Sequence, residues 1–201
     1  MNSKDIFKYL GVLLIGLTFL ASCKPDQPMP KPRAYFKIDI PEKGNLKTFD
    51  SLGFPYSFQY PSYGFITQDE KLVTEEQQPY WVNVAIPSLN ATIYLSYKTI
   101  TENRNLMDLV NESYKLTDAH KKKADFIEAT EIVTPNGLNG MFYTVGGNTA
   151  SRYQFYVTDK QKHFIRGSLY FNCEPNADST LPAEIFLRKD IEELMNSIKF
   201  R

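Results

Sequence analysis

Apolar and polar positions divide this chain into stretches of different period. From Tyr9 to Ala21 the sequence is almost unbroken apolar, and it is flanked by Lys4 and Lys8 before it and by Lys24, Pro25 and Asp26 after it. The run is shorter than the roughly 20 residues that span a bilayer. It closes on Leu20-Ala21-Ser22-Cys23, so its order is that of a secretory signal peptide with small residues at the cut. Residues 24–33, KPDQPMPKPR, have no periodicity and hold four prolines. They predict an extended tether of about 30 Å, at roughly 3.1 Å per residue.

Aromatic and β-branched residues then alternate with polar ones, which predicts strands over Ala34 to Ile40, Tyr56 to Tyr60, Gly64 to Thr67, Tyr80 to Ile86 and Thr92 to Thr99. Pro41, Pro55, Pro61, Pro79 and Pro87 mark their edges and turns. After Asn103 the period lengthens. Leu106, Leu109, Val110, Ser113, Tyr114 and Thr117 recur at helical spacing, with Asn105 placed to cap and Asp108 in the first turn. Lys121 to Lys123 and His120 fall at the end of that helix, where cations complement its dipole; recognition of a partner is the alternative use of the run.

The two-residue period returns over Ile127 to Val133, Gly140 to Val145, Arg152 to Val157 and His163 to Cys173, with turn signals at Pro135-Asn136-Gly137, Gly146-Gly147-Asn148 and Thr158-Asp159-Lys160. These four predict an antiparallel meander. A last helix is expected from about Pro182, suited to a first turn, to Ser197, with Leu187, Ile191, Leu194, Met195 and Ile198 on one face. Segregated strands and helices predict an α+β domain in which helices cover an antiparallel sheet. This order, with the strand-like tail Ser197 to Phe200, resembles the Mog1/PsbP-like architecture. The organisation expected is thus a signal peptide over 1–22, a lipidated cysteine and tether over 23–33, and a single domain over 34–201.

A cysteine at the cut adds a lipid to this picture. The Cys23 thiol can carry a diacylglyceryl group and its freed amine a further acyl chain; with about 0.8 kcal/mol per buried methylene, two or three chains anchor the protein firmly to a membrane. An ordinary signal peptide with an incidental cysteine is the alternative. The chain carries 23 basic and 23 acidic residues in 201, so nothing in its charge balance points to nucleic acid as a partner. With Cys23 used by lipid, Cys173 is left without an intramolecular partner, and its place in a strand-like run predicts a buried, structural thiol.

Catalytic signatures are missing. No G-x-S-x-G is present, the two histidines, His120 and His163, lie far apart without a metal-ligand motif, and Glu75-Glu76 and Glu192-Glu193 are neighbours on polar faces, not carboxylates opposed at about 5–9.5 Å. Gly137, Gly140, Gly146 and Gly147 form no phosphate loop. What stands out is aromatic content, 14% of the chain, gathered in Phe54 to Tyr63 and Pro79 to Trp81. Tyr56, Tyr60, Tyr63, Tyr80 and Trp81 are therefore candidate docking residues, since tyrosine and tryptophan bury large areas and keep a polar handle. Aromatics alternating on strands also serve as core, and that reading stands beside it.

Several segments resemble the gliding-motility-associated lipoprotein family GldD of the Bacteroidota: the cysteine at 23, Lys31 to Phe36 with Ile38-Asp39, Pro55 to Phe58, Tyr60 to Tyr63, Ile93 to Lys98 and His120 to Ile127. The resemblance implies an accessory part of gliding and of the linked type IX secretion pathway. It implies no enzymatic activity, cofactor or catalytic residue, and only Cys23 carries over by role. The expected protein is a non-enzymatic lipoprotein of the cell envelope, facing the periplasm, that docks to other gliding or secretion proteins. A lipoprotein that binds a small ligand or hydrolyses a substrate is the rival. An exposed aromatic surface would favour docking, and a deep pocket with converging polar groups the rival.

Overall fold

The computed structural model describes residues 37–201, and the expected signal peptide, Cys23 and the expected tether lie outside the described residues. The described chain begins irregularly. Of the strand expected over Ala34 to Ile40, residues Lys37 to Ile40 form none: Lys37 and Asp39 are exposed and face each other at 3.7 Å, and only Ile38 packs on the core. One half-buried side chain does not hold a strand against water.

The first strand is instead β1 (Leu46–Phe49), whose LKTF sequence has little alternation and is held by its antiparallel register with β2 (Tyr56–Pro61). There follow β3 (Phe65–Thr67), a single helical turn α1 (Glu70–Thr74) capped by Asp69, β4 (Val82–Ile86) and β5 (Ala91–Thr99). Helix α2 (Leu106–Asp118) begins where expected. Asn105 Oδ1 accepts from the Asp108 N–H at 3.0 Å and Asp108 Oδ2 accepts from the Asn105 N–H at 3.3 Å, a reciprocal cap. Lys121 and Lys122 sit in the 3₁₀ turn Ala119–Lys122 that closes it.

Strands β6 (Ala124–Val133), β7 (Asn139–Gly147), β8 (Tyr153–Thr158) and β9 (His163–Phe171) form the antiparallel meander that the sequence predicts. Cys173 falls beyond β9 and is exposed, so the expected buried thiol is corrected: the strand ends two residues before it, in a bend. Helix α3 (Ala177–Ser197) starts earlier than expected, because Asn176 caps it and the hydroxyls of Ser179 and Thr180 bond back to the Asn176 carbonyl. Pro182 therefore lies inside the helix and not in a first turn. The two-residue strand β10 (Lys199–Phe200) ends the fold.

Seven strands make one sheet in the order β3-β4-β5-β9-β8-β7-β6, and β1-β2-β10 make a second, all pairs antiparallel. The α+β architecture has three layers. Between the large sheet on one side and the small sheet with α3 on the other lies the main core, which holds Tyr56, Phe58, Ile93, Leu95, Phe155, Leu187, Ile191 and Leu194. On the opposite face α2 sets Leu109 against Tyr143, Tyr156 and Phe164. Gly140 lets β7 approach β8 closely, since a Cβ there would lie 2.0 Å from the Tyr156 carbonyl oxygen.

Candidate docking surface

The five aromatic residues singled out in the sequence do not share one surface. Tyr56 is fully buried, donates its hydroxyl to the Tyr80 carbonyl at 2.7 Å and stacks on Tyr97 with ring centroids 5.6 Å apart. Burial, then the neighbouring Tyr97, pushes its pKa up. As a docking residue it is corrected: Tyr56 and Phe58 lie on the face of β2 that looks into the core. Tyr80 packs edge-on to Tyr97, and Trp81 donates its indole N–H to the Tyr97 carbonyl at 2.8 Å, beneath the Lys98 ammonium at 5.9 Å from the ring.

Tyr60 and Tyr63 lie apart from that group. Tyr60 rests against Phe58, while the Tyr63 hydroxyl donates to the buried Asp190 carboxylate of α3, and its pKa rises through burial and this bond. Asp190 also receives the Lys43 ammonium, which lies over the Phe186 ring at 4.2 Å and bonds the Phe186 carbonyl at 3.2 Å. The irregular segment before β1 is clamped to α3 at this point.

Neither histidine belongs to a nucleophilic constellation. His163 is buried with Nδ1 2.7 Å from the Tyr97 hydroxyl, and its ring stacks on Phe200. The nearby Asp159 does not orient it: Asp159 Oδ1 accepts from the backbone N–H groups of Gln161, Lys162 and His163 at 2.9–3.0 Å. Desolvation raises the Asp159 pKa, but those three bonds outweigh it and hold the carboxyl below its usual range. His120 lies beside Tyr170 with ring centroids 6.4 Å apart.

Among the described residues, nothing covers one half of the large sheet's outer face. Helix α2 covers Tyr143, Tyr156 and Phe164 on β7, β8 and β9. Across β3, β4, β5 and β9 the register aligns Phe65, Ala85, Thr92 and Tyr170 in one row, and Tyr94 stands next to it, edge-on to Tyr170 at 5.7 Å. Phe65 is 49% exposed and Tyr94 44%. Beside them runs an open depression of about 720 Å³ lined by Ala85, Pro87, Asn90, Thr92, Tyr94 and Asn172. Tyr94 was legible in principle. It occupies the polar phase of Thr92-Ile93-Tyr94-Leu95-Ser96, so an aromatic there must point away from the core.

A cavity between α2 and the sheet, lined in part by Trp81, Lys98, Ser113 and Arg166, holds about 50 Å³. Small-molecule pockets measure roughly 300–1,000 Å³. Among the described residues no group of three His, Cys, Asp or Glu side chains is placed to hold a metal, and no helix is long and apolar enough to cross a membrane.

Residues 25–200 match the family described as "Gliding motility lipoprotein GldD". No curated protein matches the sequence. Among solved structures, the chain is similar to cyanobacterial PsbP (CyanoP) from Synechocystis sp. PCC 6803, at 12% identity and a TM-score of 0.47, with 89% of this chain and 100% of that chain covered.

Proposed function

The chain belongs to the gliding motility lipoprotein GldD family, and on that premise we propose that it is a non-enzymatic accessory of the gliding apparatus and of the linked type IX secretion pathway. In this reading residues 1–22 are a signal peptide that is removed, acyl chains on Cys23 hold the protein to an envelope membrane, and residues 24–33 space the domain from it on the periplasmic side. The domain acts by docking to another envelope protein.

The observation that carries docking is the uncovered half of the large sheet, where Phe65 and Tyr94 stand exposed beside Tyr170. Exposed aromatic side chains grouped on a flat sheet face are a feature of protein interfaces. The rival reading, a ligand-binding or hydrolytic lipoprotein, calls for an enclosed pocket with converging polar groups; the depression of about 720 Å³ is open to solvent, and the cavity under α2 is too small for it.

The test is affinity purification of the tagged full-length protein from its native envelope, with Tyr94→Glu and Cys23→Ala variants alongside. Wild-type protein is expected to retain gliding or secretion components, Tyr94→Glu to lose them while remaining folded and in the membrane fraction, and Cys23→Ala to leave that fraction. Equal recovery of those components with Tyr94→Glu would remove the sheet face from the proposal.

A further inference from the structure

We propose that the cavity between α2 and the outer face of the sheet is a binding site for one small monovalent anion of the halide class, seated on Arg166. Arg166 lies in β9 opposite Tyr156, and its Nη2 donates to Gln154 Oε1. The Thr117 hydroxyl lies 3.1 Å from that oxygen and equally 3.1 Å from the Ser113 carbonyl, and it has one proton to share between them. The guanidinium Nε is buried and has no hydrogen-bond partner among the described residues.

The charge balance around it calls for an anion. Glu112, the carboxylate that acts electrostatically on Arg166, is already held by Lys98 at 2.8 Å. Lys98, Glu112 and Arg166 all line the cavity, and together they leave one positive charge uncompensated. A guanidinium stays protonated even where burial lowers its pKa, as it does here. The charge cannot be shed, and a small anion beside the buried Nε would balance it.

Hydrogen-bonding capacity points the same way. Three buried atoms of this region, Arg166 Nε, Gln154 Nε2 and Ser113 Oγ, are donors with no acceptor among the described residues. Ser113 on α2 and Arg166 on β9 line the same cavity, whose other walls include Trp81, Leu109 and Phe164. Donors from two elements around a mostly apolar pocket suit a weakly hydrated anion that accepts from both. At about 50 Å³ the space takes a halide, while a water needs roughly 10–15 Å³ and a larger organic anion does not fit. A bound ion would tie α2 to the sheet.

The test uses full-length protein in a non-ionic detergent, with sodium chloride exchanged for sodium gluconate at constant ionic strength. Chloride at tenfold its Kd is expected to raise Tm by about 3–5 °C over gluconate, and ³⁵Cl nuclear magnetic resonance is expected to show line broadening that added bromide reverses. Arg166→Met should abolish both effects, and Ser113→Ala should weaken chloride several-fold. A Tm that does not distinguish the salts together with an unbroadened ³⁵Cl line would overturn the site and leave it to water. So would chloride effects of wild-type size in Arg166→Met. If Arg166→Met does not fold, Ser113→Ala decides, and an unchanged chloride affinity in that variant refutes the proposal.

Discussion

The Tyr97 hydroxyl and the His163 imidazole meet at 2.7 Å in the interior, where β5 and β9 run side by side. The Thr99 hydroxyl donates to the Tyr97 oxygen at 3.4 Å, and the direction of the bond between the Tyr97 hydroxyl and His163 Nδ1 follows the tautomer of the ring. Burial, assisted by Lys162, lowers the His163 pKa against the opposing pull of Asp159 and the Arg201 backbone. An imidazole whose folded pKa lies below its unfolded one contributes fully above about pH 6.5 and loses that contribution as pH falls toward the folded value. Urea unfolding is therefore expected to show a plateau at pH 7–8 and a decline from pH 6.5 to 5. His163→Gln should flatten the decline in part, with the remainder due to His120, which burial and then Arg166 also lower. An identical slope in that variant would assign the pH dependence elsewhere.

The reciprocal cap of α2 gives a second expectation. Replacing Asn105 by Ala removes the acceptor for the Asp108 N–H and frees the Asp108 carboxylate from its return bond. A loss of about 1 kcal/mol is expected from denaturant titration, whereas Asn103→Ala, just outside the cap, should change stability by less than about 0.5 kcal/mol.

Gly140 tests the closeness of β7 and β8. The obstacle to a methyl group there is a backbone carbonyl, Tyr156 C=O, which is fixed in the sheet and cannot rotate away as a side chain would. Gly140→Ala should cost about 1–3 kcal/mol. A crystal structure of the variant should show the two strands displaced at the pair Gly140 and Val157.

Lys43 is the only cation bound to Asp190 among the described residues. The carboxylate is 2% exposed and the ammonium 40%. Lys43→Met would leave a buried charge supported by Tyr63 alone, and the expected loss is about 2 kcal/mol, less than the roughly 3–5 kcal/mol of a fully buried pair because one partner meets water. A double variant with Asp190→Asn should recover part of it, which thermal unfolding of the four proteins would measure.

Much of this fold is legible in the sequence because its elements announce themselves by period. The meander from β6 to β9 and the buried face of α3 follow from alternation and from Leu187, Ile191 and Leu194 at helical spacing. β1 escapes such reading because its side chains are mostly exposed and its stability lies in backbone pairing with β2. Residues 37–40 mislead for the converse reason, having the alternation but no ladder with a neighbouring strand. At the surface, Tyr56 and Phe58 of β2 are conspicuous in composition but face inward, while Phe65 and Tyr94, which face outward, lie far apart in sequence and come together only through the register of β3, β4 and β5. Arg166 gives no local sign at all, since nothing near it in the chain reveals that α2 will lie above it.

The clamp at Lys43 has a mechanical consequence. Tension entering the domain along the chain from residue 37 meets this ionic contact before it meets any hydrogen-bonded strand, and the contact delivers the force to α3, which is rooted in the main core. β1, whose few backbone bonds would otherwise be peeled one at a time, is sheltered behind it. A pull from that side is thus taken up by the helix layer before the small sheet bears it.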